Sequence, residues 1–234
     1  MSDSDVDVQS ANKLSPPQAS PRVVDRAAYD LALAEQVALE KEVTRHNDRV
    51  SASRRRLPMI EVENYTFAGP SGPVSLVDLF GDHYLLLVQN VMFDPSWDAG
   101  CPSCTWAADN LPANMGRLDD EGIAFAMVSQ APIDKLEKWR TERGWDHTWV
   151  SSHDTTYHYD WGWTQTNDAG EEGQLPGYSY YLLQDGKPYL TYMTTARGTE
   201  AILATAHIMD RTTYGRQQDW EDSPPGWPQF PTYG

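Results

Sequence analysis

The sequence predicts a three-layer α/β sandwich, preceded by a long helix and followed by an aromatic, proline-rich tail. Three observations lead to this fold class. Two mostly apolar runs of strand length, residues 84–93 and 123–129, alternate with helix-like segments, as in a parallel βαβ unit. A β-hairpin signature follows at residues 184–187, and a helical segment comes after it. The right-handed crossover rule leaves few other arrangements for this order.

Two segments precede the sandwich. Residues 1–21 are polar, acidic and interrupted by prolines, so they predict a disordered leader. Residues 22–56 contain neither glycine nor proline and predict a long helix that ends before Leu57-Pro58. Because its apolar residues lie on more than one face, we expect this helix on the surface of the sandwich or against a partner. It is therefore a candidate surface for a homodimer.

The sandwich itself is predicted over about residues 57–214. Residues 61–67 alternate as a strand does, and the glycine- and proline-rich run 69–73 predicts a turn. Between the two buried strands, residues 105–118 predict a helix that Pro112 bends or interrupts.

The second half continues the alternation. Residues 133–143 predict an amphipathic helix that Gly144 ends, and residues 148–150 predict a short strand. Residues 151–177 are expected to be irregular, since they are rich in aromatic and acidic residues without a clear period.

The chain closes with a hairpin and a helix. Strands are predicted at residues 178–183 and 188–194, and a helix at residues 198–209. A parallel βαβ unit followed by a hairpin and a covering helix is the thioredoxin-like layout. The tail, residues 215–234, is dense in aromatic residues and is expected to pack on the domain.

Composition excludes several classes of protein. With 34 acidic and 18 basic residues the net charge is −16, which argues against a nucleic-acid surface. No apolar run approaches the roughly 20 residues of a membrane helix, so we expect no membrane association. The polar N-terminus does not resemble a secretory signal, so we expect a cytoplasmic protein. The sequence is rich in acidic residues and poor in lysine, which suits a protein that works at high salt. A GC-rich genome would give the same preference for arginine over lysine, so both explanations stay open.

The strongest chemical signal is the only pair of cysteines, Cys101-Pro102-Ser103-Cys104. The pair follows a predicted buried strand and opens a predicted helix, where the dipole and free backbone N–H groups stabilise a thiolate. A two-residue spacer on the first helical turn allows a reducible disulfide. We expect Cys101 to be more exposed and to attack, and Cys104 to resolve the mixed disulfide.

Other interpretations of the pair remain. One alternative is half of a metal site, completed by His158 or Met193, although no second CxxC or close histidine pair is present. Thr105 follows the pair, so a haem-attachment motif is absent. Two inert cysteines in a non-catalytic adaptor are a further alternative.

The run from Phe93 to Cys104, followed by Trp106-Ala107-Ala108-Asp109-Asn110, resembles the thioredoxin-like family catalogued as domain of unknown function 899. The similarity extends from about residue 25 to the end. The resemblance implies a thioredoxin-like fold, a CxxC motif and a predicted dithiol-disulfide oxidoreductase without a known substrate. The stretch between Trp161 and Leu175 is shorter than is usual in the family. Further similar segments are residues 128–132, 144–145, 149–152, 159–162, 196–198 and 215–220.

The leading hypothesis is therefore a thiol-disulfide oxidoreductase that needs no organic cofactor and no metal. Its partners would be a thiol or disulfide substrate and a reductant, either a thioredoxin or a low-molecular-weight thiol. Residues 122–145 also resemble peroxiredoxins, which need a threonine upstream of the reactive cysteine. No threonine lies between Pro95 and Cys101, so peroxidase activity ranks lower.

Further residues are candidates for the site. Trp97, Pro102 and Ser103 adjoin the cysteines in sequence and are candidate substrate contacts. Pro176 is the only proline near the position of the thioredoxin cis-proline, although an ordinary turn fits it equally well. Arg197 is a candidate for anion binding or for lowering a cysteine pKa. Two weaker candidates are Asp109, as a proton acceptor for Cys104, and His158, as a general acid.

Overall fold

The computed structural model describes residues 19–111 and 115–230. These residues form two compact units, residues 47–204 and a smaller unit of residues 19–46 with 205–230. Within the described ranges, no helix is long and apolar enough to cross a membrane. Pro112 and most of the predicted leader lie outside the described residues.

The larger unit is built on β-strands. They are β1 (Ile60–Glu61), β2 (Thr66–Gly69), β3 (Gly72–Ser75), β4 (Leu85–Asn90), β5 (Ile123–Ser129), β6 (Thr148–Ser151), β7 (Thr164–Thr166), β8 (Glu172–Gln174), β9 (Gly177–Gln184) and β10 (Lys187–Thr195). Eight of these described strands form one sheet in the order β1-β10-β9-β4-β5-β6-β2-β3, and β7 pairs with β8 separately.

The described helices are mostly short, apart from the first. They are α1 (Arg26–Arg54), α2 (Pro102–Asp109), α3 (Gly116–Asp120), α4 (Ile133–Arg143), α5 (Tyr157–Asp160) and α6 (Ala204–Met209), with 3₁₀ segments at Asp78–Phe80 and Ala196–Ile202. α1 lies within the range predicted for the long helix, and none of its residues is buried. Its first turn is capped by Asp25, whose Oδ1 accepts a hydrogen bond from the Ala28 N–H at 2.9 Å.

The strand order confirms the predicted thioredoxin-like fold. β4, β5 and β6 are parallel neighbours, joined through α2 and α4. β9 lies antiparallel on the other side of β4, and β10 extends it as a hairpin. The turn of this hairpin places Asp185 and Gly186 at positive φ, 52° and 74°, as a two-residue hairpin turn requires.

Alternate residues of β5 separate two hydrophobic clusters. Ala124, Ala126 and Val128 pack in one cluster, whereas Phe125 and Met127 pack in the other. Because successive side chains of a strand point to opposite faces, the clusters lie on opposite faces of the sheet. We call the first the tyrosine face, since it buries Tyr157 and Tyr181, and the second the cysteine face, since it buries Cys101 and Cys104.

Two predicted elements of the first half are shorter in the structure. The predicted strand 61–67 is interrupted at Asn64, whose Oδ1 accepts a hydrogen bond from the Val77 N–H at 2.9 Å. The predicted helix 105–118 already begins at Pro102 and ends at Asp109, and α3 follows separately. The Asn110 side chain donates to the Trp106 carbonyl at 2.7 Å, which ends α2 before any proline is reached.

Two predictions of the second half are also corrected. Residues 151–177 contain α5 and the β7–β8 hairpin, whose three-residue strands are too short to show a period in the sequence. The predicted helix 198–209 divides into a 3₁₀ segment and α6. Leu203, which is buried and extended, separates the two.

The smaller unit contains the aromatic tail in ordered contact with its neighbours. The Tyr214 hydroxyl donates to the Ala19 carbonyl at 2.7 Å, and the Trp227 indole N–H donates to the Thr213 carbonyl at 3.2 Å. The rings of Tyr214 and Trp227 lie 6.0 Å apart. Trp227 of the tail is therefore held through both packing and a hydrogen bond.

Candidate active site

The cysteine pair lies at the N-terminus of α2, as the sequence predicts. Cys101 is the residue before the first helical turn and Pro102 is the first helical residue, where a missing N–H costs nothing. The Cys101 N–H donates to the Met92 carbonyl at 3.0 Å, which ties the start of α2 to the chain that leaves β4. Both cysteines are free thiols. The pair therefore lies at the positive end of a helix.

The surroundings of Cys101 favour a thiolate. They lower its pKa from 9.0 to about 5, and the largest cause is a hydrogen bond from the Cys104 thiol. Burial opposes the shift, whereas the Ser103 hydroxyl and the backbone N–H groups of Ser103 and Cys104 support it. The Ser103 Oγ lies 3.1 Å from the Cys101 sulfur. Cys101 is therefore suited to act as a nucleophile near neutral pH.

Cys104 is held in the opposite state. Its pKa is raised, first by the hydrogen bond to Cys101, then by burial, and then by the charge on Cys101. It is 2% exposed, compared with 8% for Cys101. Cys101 is therefore the less buried sulfur, with the lowered pKa, and Cys104 is the more deeply buried sulfur, with the raised pKa.

Lys135, which the sequence analysis missed, holds the loop before the cysteines. Its Nζ donates to the carbonyl oxygens of Pro95 at 2.7 Å and Trp97 at 3.0 Å. Asp94, at the start of the loop, accepts a hydrogen bond from Gln174 of β8 at 3.2 Å. Trp97 is 39% exposed, so its ring is available for contact with a substrate.

Pro176 and Arg197 are the two candidates that lie far from the cysteines in the sequence. No described peptide bond is cis, so Pro176 is an ordinary trans proline before β9. Its carbonyl accepts a hydrogen bond from the Thr195 hydroxyl at 2.6 Å. Arg197 pairs with Glu200 at 3.0 Å. The groups that lower the Cys101 pKa belong to residues 103 and 104 and do not include Arg197.

Asp109 and His158 are structural residues. Asp109 accepts a hydrogen bond from the Trp145 indole at 2.9 Å and forms an ion pair with Arg143, so it is not a free base for Cys104. The Nδ1 of His158 lies 2.6 Å from the Ser152 hydroxyl, and burial lowers the pKa of His158 to about 3. A histidine that stays neutral at physiological pH is unsuited to general acid catalysis.

Two polar residues beside Cys104 were also missed. Gln89 of β4 donates to the Cys104 carbonyl at 3.5 Å, and Tyr178 of β9 lies directly opposite Gln89 in the sheet. Burial raises the pKa of Tyr178, and the charge on nearby Cys104 raises this pKa further. Gln89 Oε1, Thr105 Oγ1 and the Tyr178 hydroxyl have no hydrogen-bond partner within the described protein. Two polar residues, Gln89 and Asn90, at the end of an otherwise apolar strand were the signal in the sequence.

The described residues do not group three potential metal ligands among histidine, cysteine, aspartate and glutamate. Within that part of the chain, His158 therefore does not complete a site with the two cysteines.

The family is established by comparison with known sequences. A family model described as a bacterial protein of unknown function, DUF899, matches residues 18–231. The chain belongs to this family. The resemblance seen in the sequence is thereby confirmed, although the family's description assigns no activity. No curated protein sequence matches the chain significantly.

Solved structures with a similar arrangement include three peroxide-related proteins. The bacterioferritin comigratory protein of Xanthomonas campestris, studied for alkyl peroxide reduction, is 17% identical with a TM-score of 0.45, covering 60% of this chain and 88% of its own. Peroxidoxin BcpB of Mycobacterium tuberculosis is 17% identical with a TM-score of 0.48, covering 65% and 97%. Reduced Prx3 of Vibrio vulnificus with hydrogen peroxide is 14% identical with a TM-score of 0.45, covering 58% and 86%. Similarities of this size carry no argument about function.

Proposed function

We propose that this protein is a thiol-disulfide oxidoreductase that uses Cys101 and Cys104. The observation that carries the proposal is the placement of the two thiols at the start of α2, where Cys101 precedes the first turn beside the Ser103 hydroxyl and Cys104 is more deeply buried. Cys101, with its pKa lowered to about 5, is ready to attack, whereas the pKa of buried Cys104 is raised. This division between an attacking and a resolving cysteine is what dithiol exchange requires.

The reaction proceeds in two exchanges. The Cys101 thiolate attacks one sulfur of a substrate disulfide, so a Cys101–substrate bond forms while the substrate bond breaks and its other sulfur leaves. The Cys104 sulfur then attacks Cys101, and its proton passes to the departing substrate thiolate. The substrate gains two electrons in total, the first thiolate to leave takes up its proton from solvent, and the protein is left with a Cys101–Cys104 disulfide. A thioredoxin or a low-molecular-weight thiol supplies two electrons to restore the dithiol.

We further propose that the substrate contacts Trp97, Pro102 and Ser103. Trp97 is exposed on the loop that Lys135 holds, and Ser103 already contacts the Cys101 sulfur. Pro176 precedes β9. The first residue of β9 pairs with the last residue of β4, so Pro176 lies at the same end of these strands as the loop to Cys101.

Trapping the intermediate tests the order of attack. With glutathione disulfide, Cys104→Ser should accumulate a mixed disulfide on Cys101, because no second thiol is left to resolve it. The matched variant Cys101→Ser should accumulate far less, since Cys104 is buried and protonated. Mass spectrometry of the intact chain measures both. Equal labelling of the two variants would contradict the assigned roles.

The reduction potential tests the activity as a whole. The wild-type protein, equilibrated in graded thiol buffers and then alkylated, should show a reversible two-electron transition between roughly −120 and −270 mV, the range of known thioredoxin-fold catalysts. A lowered Cys101 pKa stabilises the reduced form, so we expect the less negative part of this range. If no intramolecular disulfide forms at any potential, the proposed function is wrong and a non-catalytic adaptor becomes the better interpretation.

A further inference from the structure

A second concave site lies in the larger unit, where the end of α1 meets β9 and β10. Its volume is about 660 Å³, within the size range of pockets that hold small organic ligands. Side chains with apolar bodies line much of it. Leu57, Met59 and Ile202 are exposed, and Tyr180 and Tyr192 are half-buried.

The lining favours a flat apolar group. The rings of Tyr180 and Tyr192 face each other across neighbouring strands, with centroids 5.4 Å apart and planes inclined by 38°. The Arg54 guanidinium carbon lies 5.4 Å from the centre of the Tyr192 ring. An aromatic ligand can stack against such tyrosine and arginine surfaces.

The rim of the pocket favours an anion. Arg54 and Arg55 both line it, and within the described residues neither guanidinium is paired with a carboxylate. This pair lies in a protein whose net charge is −16. Arginine binds carboxylate and sulfonate groups through directed, charge-assisted hydrogen bonds. The two arginines are thus available to an anionic ligand.

The pocket and the cysteine pair lie on the same face of the sheet. Thr194, which lines the pocket, lies directly opposite Tyr178 in the β9–β10 ladder. Tyr178 in turn lies opposite Gln89, whose amide contacts the Cys104 carbonyl. Tyr178 and Tyr180 are two residues apart on one strand, so the pocket opens on the cysteine face.

We infer that this pocket binds the anionic, aromatic part of the substrate. The substrate class would be small aryl disulfides that carry a carboxylate or sulfonate group. This assignment rests on the proposed function for the disulfide, while the affinity for an aromatic anion rests on the pocket alone. The pocket would bring such a substrate next to the cysteines despite the negative charge of the whole protein.

Binding is tested without any redox step. Anilinonaphthalene sulfonate should bind saturably, and the double variant Arg54→Gln/Arg55→Gln should raise its Kd by about fivefold or more, as expected for two lost charge-assisted contacts at a solvent-exposed rim. Phenylnaphthylamine, which has the same rings without the sulfonate, should bind more weakly to the wild type. Arg117→Gln, which removes an exposed arginine of α3, should leave both affinities unchanged. Equal sulfonate affinity in the double variant and the wild type would overturn the inference.

The substrate class is tested by the rates of two disulfides with Cys101. Dithiobis(nitrobenzoate) carries two carboxylates, and dithiodipyridine is neutral. The ratio of the first rate to the second should fall by about fivefold in the double variant and stay constant in Arg117→Gln. If sulfonate binding weakens but this ratio does not change, the pocket does not serve the substrate. If neither disulfide reacts with Cys101 while the sulfonate still binds, the proposed function fails instead.

Discussion

The tyrosine face and the cysteine face of the same sheet bury their oxygen atoms in different ways. On the tyrosine face, the Tyr157 hydroxyl lies 3.1 Å from Asn90 Oδ1 and 3.0 Å from the Tyr181 hydroxyl. The Asn90 amide then donates to the Ser179 hydroxyl at 3.1 Å. These four residues form a closed network that links α5 to β4 and β9. A buried network of this kind stabilises a single packing arrangement.

The cysteine face is open by comparison. Gln89 Oε1, Thr105 Oγ1 and the Tyr178 hydroxyl are buried near Cys104 without a hydrogen-bond partner in the described protein. Such groups lower stability, because their interactions with water are lost on folding and not replaced. Within the described residues, three buried oxygen atoms without a partner thus lie beside the proposed chemistry, whereas on the tyrosine face the unsatisfied groups are the indole N–H groups of Trp161 and Trp163.

The largest effect on stability is expected on the tyrosine face. Tyr157→Phe removes a hydroxyl from a fully buried side chain and leaves Asn90 Oδ1 without its donor. The free energy of unfolding should fall by about 2 kcal/mol, the cost of an unsatisfied buried acceptor. Urea denaturation with an unchanged m-value measures it. The pH midpoint for alkylation of Cys101 should not move in this variant. A shift of that midpoint would show that the two faces are not independent.

An intermediate effect is expected on the cysteine face, in reactivity. The pKa of Cys101 is lowered to about 5, so its thiolate fraction falls only when the pH drops toward that value. Cys104→Ala removes the hydrogen bond with the largest effect, so the alkylation midpoint should rise. At about pH 6 the rate with iodoacetamide should be about tenfold lower than in the wild type.

The matched variant for this experiment is Cys104→Ser, which retains a hydroxyl donor beside Cys101. Its midpoint should lie between those of the wild type and Cys104→Ala. If all three proteins share one midpoint, the Cys104 thiol does not stabilise the Cys101 thiolate, and the helix N-terminus alone accounts for its reactivity.

Several elements of the fold, and the position of the cysteine pair, could be predicted from the sequence. The bounds of β5 and α4 match the predicted ranges 123–129 and 133–143, because a continuous apolar run and a terminal Gly144 are local signals. Gly144 adopts φ 68° and ψ 31°, the left-handed conformation that ends the helix. The position of the cysteine pair at the start of α2 was a local signal of the same kind.

The neighbours of the cysteines could not be predicted, since they come from distant parts of the chain. Tyr178 reaches Gln89 only through the register of β9 on β4, across nearly ninety positions. Lys135 reaches the loop at Pro95 across 40 positions. Such contacts depend on strand register and helix placement, which hydrophobic periodicity does not determine. The hydrogen bond between Asp109 and Trp145 could not be predicted either, since Trp145 belongs to the turn after α4.

The smallest effect is expected for Tyr178→Phe, which is the same chemical change as Tyr157→Phe at an equally buried tyrosine. Here the hydroxyl has no partner among the described residues, so its removal leaves no donor or acceptor unsatisfied. The free energy of unfolding should stay within about 0.5 kcal/mol of the wild type, or rise slightly as an uncompensated polar group is lost. The same urea denaturation, run beside Tyr157→Phe, gives the difference directly. If Tyr178→Phe costs as much as Tyr157→Phe, the Tyr178 hydroxyl is satisfied in solution, and the cysteine face is as closed as the tyrosine face.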